Sequence, residues 1–484
     1  MSRLPFPEGQ HFLGGKMTLY QKLKQYGESD YYGFHMPGHK RNTHFMEEDL
    51  PYGIDITEIE GFDDLHHCHG ILRKAQERAA AVYGAGESHF LVNGSTVGIL
   101  SALAGCARRG DMVLIARNCH KSVYHAVEMF GLKPRYLYPR KAEEEDSVLS
   151  GRIDPHDVES ILKQYPDIRA VMIVSPSYDG VVSDVKGIAK AAHRFGIPLI
   201  VDEAHGAHFG FHDYFPENAN RLGADIVIHS VHKTLPSLTQ TALLHMNGTL
   251  VKRTRVRRYL HMLQSSSPSY VLMASIDACI HMLETRKEEV FDHYVQNLET
   301  LRSRLHGLTH VRICESASYD RSKVVIASDG TMLSSQELSR ILLDQYHLQM
   351  EMTAGNYILA MTSVADTKEG MERLAKALLE IDKQTKTCQD SKKIRTEIPE
   401  AEQVQFPCWR DDIAEDERRS VAFEDCAGGI SLDYAYLYPP GSPIIVPGER
   451  ISEEASEMLC QYRDAGFSIE GTEEENRIGV WING

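Results

Sequence analysis

Lys233 follows a short apolar run and is surrounded in the sequence by hydroxyl and imidazole side chains. Residues 225–228 are Asp-Ile-Val-Ile, which predicts a buried strand, and residues 230–234 follow as Ser-Val-His-Lys-Thr. A lysine at the rim of a sheet, beside such groups, is well placed for a lowered pKa and for Schiff-base chemistry. The pattern is weak evidence by itself, because most lysines are solvated surface charges.

An aspartate stands at the end of a second apolar run. Residues 198–201 are Pro-Leu-Ile-Val, and they lead directly into Asp202. We therefore expect Asp202 and Lys233 at the ends of neighbouring strands. An aspartate can keep a pyridinium nitrogen protonated, and a lysine can hold an aldehyde as an imine. The pair predicts an enzyme that uses pyridoxal 5'-phosphate as its cofactor.

Other polar residues at predicted strand ends suit the rest of such a cofactor. Residues 94–96 are Gly-Ser-Thr at a strand-to-helix junction, where hydroxyls and free N–H groups suit a phosphate, although a plain helix cap uses the same residues. His120 follows the next strand, where an imidazole would lie flat on an aromatic ring, although a lone histidine there is more often structural. Ser230 and His232 can reach the phosphate from the other side.

Strand and helix patterns alternate along the first half of the chain, from about residue 77 to residue 233. This alternation predicts βαβ units and a mostly parallel sheet that binds ligands at the carboxyl ends of its strands. A long helix predicted over 270–305 leads to a second, smaller α/β unit. Residues 383–399 have the composition of a linker, and the proline-rich turns after them indicate a compact terminal domain.

These patterns divide the chain into four predicted segments. They are an N-terminal arm (1–30), a cofactor-binding large domain (31–265), a small α/β domain (266–385) and a compact C-terminal domain (386–484).

The composition indicates a globular protein. Of the 484 residues, 42% are apolar and 25% are charged, which excludes a disordered or fibrous class. The net charge of −16 disfavours a nucleic-acid or anionic-membrane partner, and the basic stretch 252–258 is better explained as one face of a solvated helix. Nine cysteines without paired spacing, no long apolar run and no signal-peptide pattern predict a cytoplasmic location without a membrane partner.

Residues 66–69, His-His-Cys-His, look like metal ligands. Adjacent residues cannot all point at one ion, and zinc sites space their ligands in separated pairs. His205 and His208 raise the same question. We expect no metal at either place.

The chain resembles the prokaryotic ornithine/lysine/arginine decarboxylases, which are fold-type I pyridoxal phosphate enzymes, in their shorter form. The motifs that carry the resemblance run in order along nearly the whole chain: FHMPGHK, DDLH with GILRKAQ, VNGST, RNCHKSVYHA, SYDGVVSDV, VDEAHGAH, SVHKTLPSLTQTA, QSSSPSY and LYPPGSPIIVPGE. The fold implied is an aminotransferase-like large domain with a mostly parallel sheet, a smaller α/β domain and a C-terminal α+β domain.

The resemblance also implies roles for individual residues. Lys233 would form the imine, Asp202 would contact the pyridinium nitrogen, and His120 would stack on the ring. The further residues implied in cofactor binding are Ser95, Thr96, His205, Ser230 and His232. A hydroxyl from the region 265–267 is implied to reach the phosphate across a dimer. Three features depart from the family pattern: the order Ser95-Thr96 for the usual Thr-Ser, Cys68 for a frequent proline, and His205 where longer relatives have an aromatic residue.

The implied reaction is decarboxylation of arginine, lysine or ornithine to an amine and CO₂, by a cytoplasmic homodimer or larger homo-oligomer with a part in polyamine biosynthesis. Lys233 or His232 would return the proton to Cα. An aminotransferase or a C–C or C–S lyase remains an alternative, because these enzymes use the same lysine and aspartate. A catalytically inactive binding or regulatory homologue is an alternative from a different class.

A cationic substrate side chain needs a carboxylate at the far end of the site. The sequence offers five candidates at loop ends: Asp63, Asp64, Asp179, Glu203 and Glu351. Any of them can equally be a solvated loop charge. Arginine is expected first as the substrate, and lysine next.

Overall fold

A seven-stranded sheet forms the centre of the first half of the chain. The computed structural model describes residues 17–32, 34–37, 39–41, 50–141, 148–388, 394–404 and 413–482. The strands of this large sheet are β1 (Glu87–Leu91), β2 (Met112–Ala116), β3 (Lys133–Leu137), β4 (Ile168–Val174), β5 (Leu199–Asp202), β6 (Ile226–His229) and β7 (Ala242–Met246). Their order across the sheet is β1-β7-β6-β5-β4-β2-β3.

Helices cover both faces of the large sheet, as expected for parallel strands made of continuous Val, Ile and Leu runs. They are α1 (Leu19–Gly27), α2 (Ile71–Tyr83), α3 (Gly94–Cys106), α4 (Lys121–Phe130), α5 (Pro155–Gln164), α6 (Val185–His193), α7 (Ala219–Leu222), α8 (Val231–Thr234) and α9 (Arg253–Leu263). No helix in the described ranges combines the length and the apolar composition that a bilayer span requires.

The predicted mostly parallel sheet is confirmed, with one exception. Strand β7 runs antiparallel to both of its neighbours, β1 and β6. Strands β2 to β6 pair in parallel, and β1 points in the same direction as β6 because both oppose β7. The carboxyl ends of β1, β2, β4, β5 and β6 therefore meet at one edge of the sheet, where the predicted site residues follow them.

Helix α10 (Tyr270–Leu305) leads from the large sheet to the smaller unit, and its backbone is non-helical at Arg286. The smaller unit consists of β8 (Arg312–Cys314), β9 (Lys323–Ala327), α11 (Ser335–Tyr346), β10 (Met352–Ala354), β11 (Tyr357–Met361) and α12 (Lys368–Gln384). Its four strands form an antiparallel sheet in the order β10-β11-β9-β8.

The C-terminal unit contains β12 (Glu402–Gln403), β13 (Arg418–Ala422), β14 (Ile430–Ser431), β15 (Ala435–Tyr436), β16 (Pro443–Ile445), β17 (Glu449–Arg450), α13 (Glu453–Asp464) and β18 (Arg477–Trp481). Five of these strands form a sheet in the order β12-β17-β14-β18-β13, and β15 pairs with β16. Short 3₁₀ turns complete the chain at Tyr52–Ile54, Leu65–His67, Glu415–Glu417 and Phe423–Asp425.

A buried arginine joins the C-terminal unit to the large sheet. Arg117 follows β2, is fully buried, and donates to both carboxylate oxygens of Glu449 at 2.9 and 2.8 Å. Its remaining N–H groups donate to the carbonyls of Pro443 and Ile444 and to the hydroxyl of Tyr124. All five guanidinium donors thus have acceptors, which is the condition under which a buried cation is tolerated.

Arg117→Met should loosen the C-terminal unit. The substitution leaves the Glu449 carboxylate buried without its partner, which costs about 3–5 kcal/mol. Urea unfolding monitored by tryptophan fluorescence measures the stability of the C-terminal unit, because both tryptophans of the chain, Trp409 and Trp481, belong to the C-terminal segment. The control is Arg463→Met, which removes a partly exposed pair with Glu424. An equal shift of the midpoint in the two variants would contradict the anchoring role of Arg117.

Candidate active site

A cavity of about 320 Å³ lies at the carboxyl ends of the parallel strands. Its lining comes from all three units: Ser95, Asn118, His120, Val174, Tyr178, Asp202, Ala204, His205, His232 and Lys233 from the large unit, Glu351 and Met361 from the small unit, and Tyr438, Pro440 and Ser442 from the C-terminal unit. Six of the eight predicted site residues are among them.

Lys233 occupies the short helix α8, directly after β6, and its amine points into the cavity. Its Nζ lies 2.9 Å from Nε2 of His205. Burial lowers the pKa of the Lys233 amine below its ordinary value, and the negative charge of Asp202 opposes this shift. A lysine whose pKa is lowered spends more time as the neutral amine, which is the nucleophilic form.

Asp202 ends β5, is 3% exposed, and accepts a hydrogen bond from the Ala204 N–H at 3.1 Å. Burial raises the pKa of its carboxyl, and the charge of Lys233 opposes this effect. A buried carboxylate of this kind gains from a second cationic partner. A protonated ring nitrogen in the cavity would be such a partner.

His120 caps the N-terminus of α4. Its Nδ1 accepts from the Ser122 N–H at 3.3 Å and lies 2.8 Å from the Ser122 hydroxyl. Burial, followed by the charges of Lys233 and Lys121, lowers the pKa of His120 to about 3. The imidazole is therefore neutral, with its proton on Nε2, and presents an uncharged ring to the cavity.

The predicted phosphate ligands are only partly brought together. Ser95 and His232 line the cavity, whereas Thr96 is exposed and does not. Ser230 is fully buried beneath the site, and its hydroxyl has no hydrogen-bond partner among the described residues. Nδ1 of His232 donates to the Thr241 carbonyl at 2.8 Å, so its Nε2 remains available. A buried hydroxyl without a partner is costly unless a ligand completes it, and a phosphate oxygen fits that requirement.

The histidines that looked like metal ligands in the sequence, among them His66, His205 and His208, contact other protein groups. The ring of His205 packs on Tyr178 with 4.4 Å between centroids, and His208 pairs with Asp320 at 3.0 Å. His66 contacts the Ser265 carbonyl at 2.8 Å. Within the described residues, the structure has no group of three or more His, Cys, Asp or Glu side chains that could hold a metal ion.

Of the five carboxylates considered for a cationic substrate, only Glu351 lines the cavity. The other four accept hydrogen bonds elsewhere: Asp63 from backbone N–H groups of residues 64–73, Asp64 from His66 N–H, Asp179 from Ser150 and Ser177, and Glu203 from Ala219. Glu351 accepts a short hydrogen bond from the hydroxyl of Tyr178. It is one of the negative charges that oppose the lowered pKa of Lys233.

The residues that border the cavity and that sequence reasoning missed include Tyr178, Tyr438, Pro440 and Ser442. The last three belong to the proline-rich turn of the C-terminal unit. The Ser442 hydroxyl donates to the Asn118 carbonyl at 2.9 Å, and the Lys121 N–H donates to the Gly441 carbonyl at 2.8 Å. The rigid Pro-Pro-Gly turn was visible in the sequence, but its contact with residues 118–121 was not.

Comparison with known proteins connects this geometry to a family. The family model described as "Orn/Lys/Arg decarboxylase, major domain" matches residues 17–324, and the model "Orn/Lys/Arg decarboxylase, C-terminal domain" matches residues 392–466.

Individual relatives cover nearly the whole chain. The chain is 35% identical over 487 residues to "uncharacterized protein YaaO" of Bacillus subtilis (strain 168), covering 96% of this chain and 98% of that protein. It is 32% identical over 470 residues to arginine decarboxylase of the same organism, covering 94% and 95%. The crystal structure of Francisella novicida lysine decarboxylase LdcF has the same fold, with a TM-score of 0.79 at 17% identity, over 96% of this chain and 81% of that one. The chain belongs to the Orn/Lys/Arg decarboxylase family.

Proposed function

We propose that this protein is a pyridoxal phosphate-dependent decarboxylase of basic L-amino acids, with arginine as the preferred substrate. One observation carries the proposal: Lys233 and Asp202 line the same cavity as Glu351, the one carboxylate of the five candidates for binding the cationic end of the substrate that borders this cavity. Membership of the decarboxylase family supports the reaction, and the relatives named arginine decarboxylase, 31–32% identical over most of the chain, support arginine.

The residues of the cavity fit the cofactor. Ser95, Ser230, His232 and the first N–H groups of α3 would hold the phosphate, because a helix N-terminus and unpartnered hydroxyls favour an anion. Asp202 would hold the proton of the ring nitrogen. When bound, pyridoxal phosphate supplies the electron sink for breaking the bond between Cα and the carboxylate.

The side chains of this chain would orient the substrate and move one proton. His120, as a neutral ring, would lie on one face of the cofactor and add no competing charge. Lys233 would return a proton to Cα after CO₂ has left, since its Nζ lies inside the cavity and carries a lowered pKa. His232, with Nε2 available, is the second candidate for this step. Tyr438 and Pro440 line the cavity from the C-terminal unit.

Glu351 and Tyr178 would recognise the substrate's cationic end together. One oxygen of Glu351 already accepts from the Tyr178 hydroxyl, which leaves its second oxygen and the lone pairs of the hydroxyl oxygen. A planar guanidinium can donate to both at once, whereas an ammonium group needs only one of them. This arrangement favours arginine over lysine.

We further propose a cytoplasmic homodimer with a part in polyamine formation. Support for the dimer comes from exposed apolar side chains near the N-terminal arm, with Tyr32 exposed by 71%, Phe34 by 92% and Met36 by 66%. Such a patch on a soluble enzyme commonly marks a protein interface. The location and the metabolic role rest on the sequence composition and on the family.

The purified enzyme should release CO₂ and the corresponding amine from basic amino acids. Incubation with arginine, lysine, ornithine and a neutral amino acid in parallel, each followed for both products, tests the proposal. Arginine is expected to give the highest kcat/KM. Decarboxylation of only a neutral or acidic amino acid, or consumption of a keto acid, would overturn the proposed function.

Borohydride reduction of the cofactor-loaded protein, followed by peptide mapping, should place the cofactor label on Lys233. The Lys233→Ala variant should acquire no label and show no turnover, and its circular dichroism spectrum should match that of the wild type. Lys121→Ala is the matched control, because Lys121 lies near the site but its amine is held by Tyr436 at 3.1 Å. A label on Lys121, or persistent labelling of the Lys233→Ala variant, would contradict the assignment.

Glu351→Gln should lower kcat/KM for arginine and lysine by about ten- to a hundredfold, because a hydrogen bond between charged groups is lost. The preference for lysine over its neutral isostere norleucine should collapse in the same variant. Tyr178→Phe keeps the ring on His205 and removes only the hydroxyl, so it should impair arginine more than lysine. Unchanged preference for lysine over norleucine in Glu351→Gln would show that another group binds the cation.

Gly441→Ala should impair catalysis by about ten- to a hundredfold, because its Cβ would lie 3.2 Å from the His120 ring and 3.1 Å from Tyr438 and would displace them. Gly428→Ala is the control. Both glycines have φ near +80°, so both alanines meet the same backbone strain, but a Cβ at Gly428 has open space. Equal activity in the two variants would mean that contact with His120 is unimportant.

A further inference from the structure

Four buried side chains form a hydrogen-bonded row across the large sheet, behind the active site. The Ser88 hydroxyl lies 2.6 Å from Nδ1 of His245, and Nε2 of His245 lies 3.0 Å from Nδ1 of His229. Nε2 of His229 lies 2.7 Å from a carboxyl oxygen of Glu203. All four residues are at most 3% exposed. They are called the Ser88–Glu203 row below.

The row is attached to the two strand ends that carry the site. Glu203 directly follows Asp202 at the end of β5, and His229 directly precedes Ser230 at the end of β6. Because side chains alternate along an extended chain, Glu203 and His229 face away from the cavity that Asp202 lines. The 2.7 Å contact between them joins the two strand ends from behind.

The row can run in two directions, which differ by one proton. If Glu203 is protonated, its O–H donates to His229, His229 donates from Nδ1 to His245, and His245 donates from Nδ1 to Ser88. If Glu203 is ionised, every donor and acceptor is reversed and the Ser88 hydroxyl donates. Both directions use neutral imidazoles, which agrees with burial lowering the pKa of His245 to about 3 and that of His229 well below its ordinary value.

The surroundings of Glu203 favour the protonated form. Burial raises the pKa of its carboxyl well above the ordinary value, the N–H of Ala219 opposes this, and the charges of Glu217 and Asp202 add to it. Two adjacent buried carboxyls ionise together only at a large cost. Asp202 has the amine of Lys233 beside it, whereas the partners of Glu203 among the described residues are the neutral His229 and the N–H of Ala219.

We propose that Glu203 is a positioning residue that burial among uncharged partners keeps protonated and that the Ser88–Glu203 row holds in place, so that the negative charge of this strand end resides on Asp202. The inference rests on the proposed function in one respect, because Asp202 needs that charge to hold the ring nitrogen of the cofactor. The row also fixes β5 against β6 and thereby sets the distance between Asp202 and the turn that carries Lys233.

Infrared spectroscopy of the full-length, cofactor-free protein tests the charge state directly. The wild type should show the carbonyl stretch of a protonated carboxyl group, shifted by carboxyl-¹³C glutamate and absent from Glu203→Gln. The isotope shift requires no variant, so its absence rules out a protonated Glu203 even if the Glu203→Gln substitution prevents folding. Absence of a shifted protonated-carboxyl band in the labelled wild type would overturn the proposal.

Cofactor affinity of the apo-protein tests the positioning role. Glutamine reproduces protonated glutamate, since its N–H donates to His229 and its carbonyl accepts from Ala219, so Glu203→Gln should bind pyridoxal phosphate within about twofold of wild type. Glu203→Leu has a similar size without these bonds and should bind about tenfold more weakly. Equal weakening in both variants, or in neither, would contradict the role of Glu203. Failure of the wild type to bind the cofactor would instead refute the proposed function, and the infrared result would still stand.

Discussion

The buried pair of Arg117 and Glu449 is the contact on which assembly of the active-site cavity from two units depends. A guanidinium without water must find acceptors for all its N–H groups, and only the C-terminal unit supplies enough of them here, through Glu449 and the carbonyls of residues 443 and 444. The buried charge of one side chain thus contributes strongly to the docking of that unit. The segment 438–442, which precedes these carbonyls, is thereby carried over the cavity.

The anchor and the chemistry are close together in the chain. Arg117 directly follows β2 at the edge of the sheet, and His120 lies three residues further along the chain. Asn118 lies between these two residues, and its carbonyl accepts from the Ser442 hydroxyl. Lys121 directly follows His120, and its N–H donates to the Gly441 carbonyl. A disturbance of the C-terminal unit therefore reaches His120 through a few short bonds. The C-terminal unit, which supplies none of the eight predicted site residues, can thus affect the site through these contacts.

Local sequence patterns were sufficient to predict many helices and strands and the polar residues that follow the strands. The bounds of α10, Tyr270–Leu305, agree with the sequence prediction because helical periodicity defines them locally. The antiparallel strand β7 was missed, since an apolar run does not reveal its direction. Tyr178 was missed as well, because its value to the site comes from Glu351, 173 residues away. Long-range pairs of this kind leave no spacing signal in a single sequence.

Burial distributes charge within the site in a way that suits a cationic substrate. His120 and His205 are neutral because desolvation lowers the pKa of each, and the amine of Lys233 is shifted in the same direction. The rings of His120 and His205, which line the cavity together with the carboxylates of Asp202 and Glu351, are thus uncharged. A basic amino acid meets no fixed imidazolium that would repel it, and its cation is drawn to Glu351, since Asp202 is already engaged by Lys233 and by the ring nitrogen of the proposed cofactor. Asp202 and Glu351 can bind different cationic partners, because the buried rings of His120 and His205 carry no positive charge that would pair with either carboxylate.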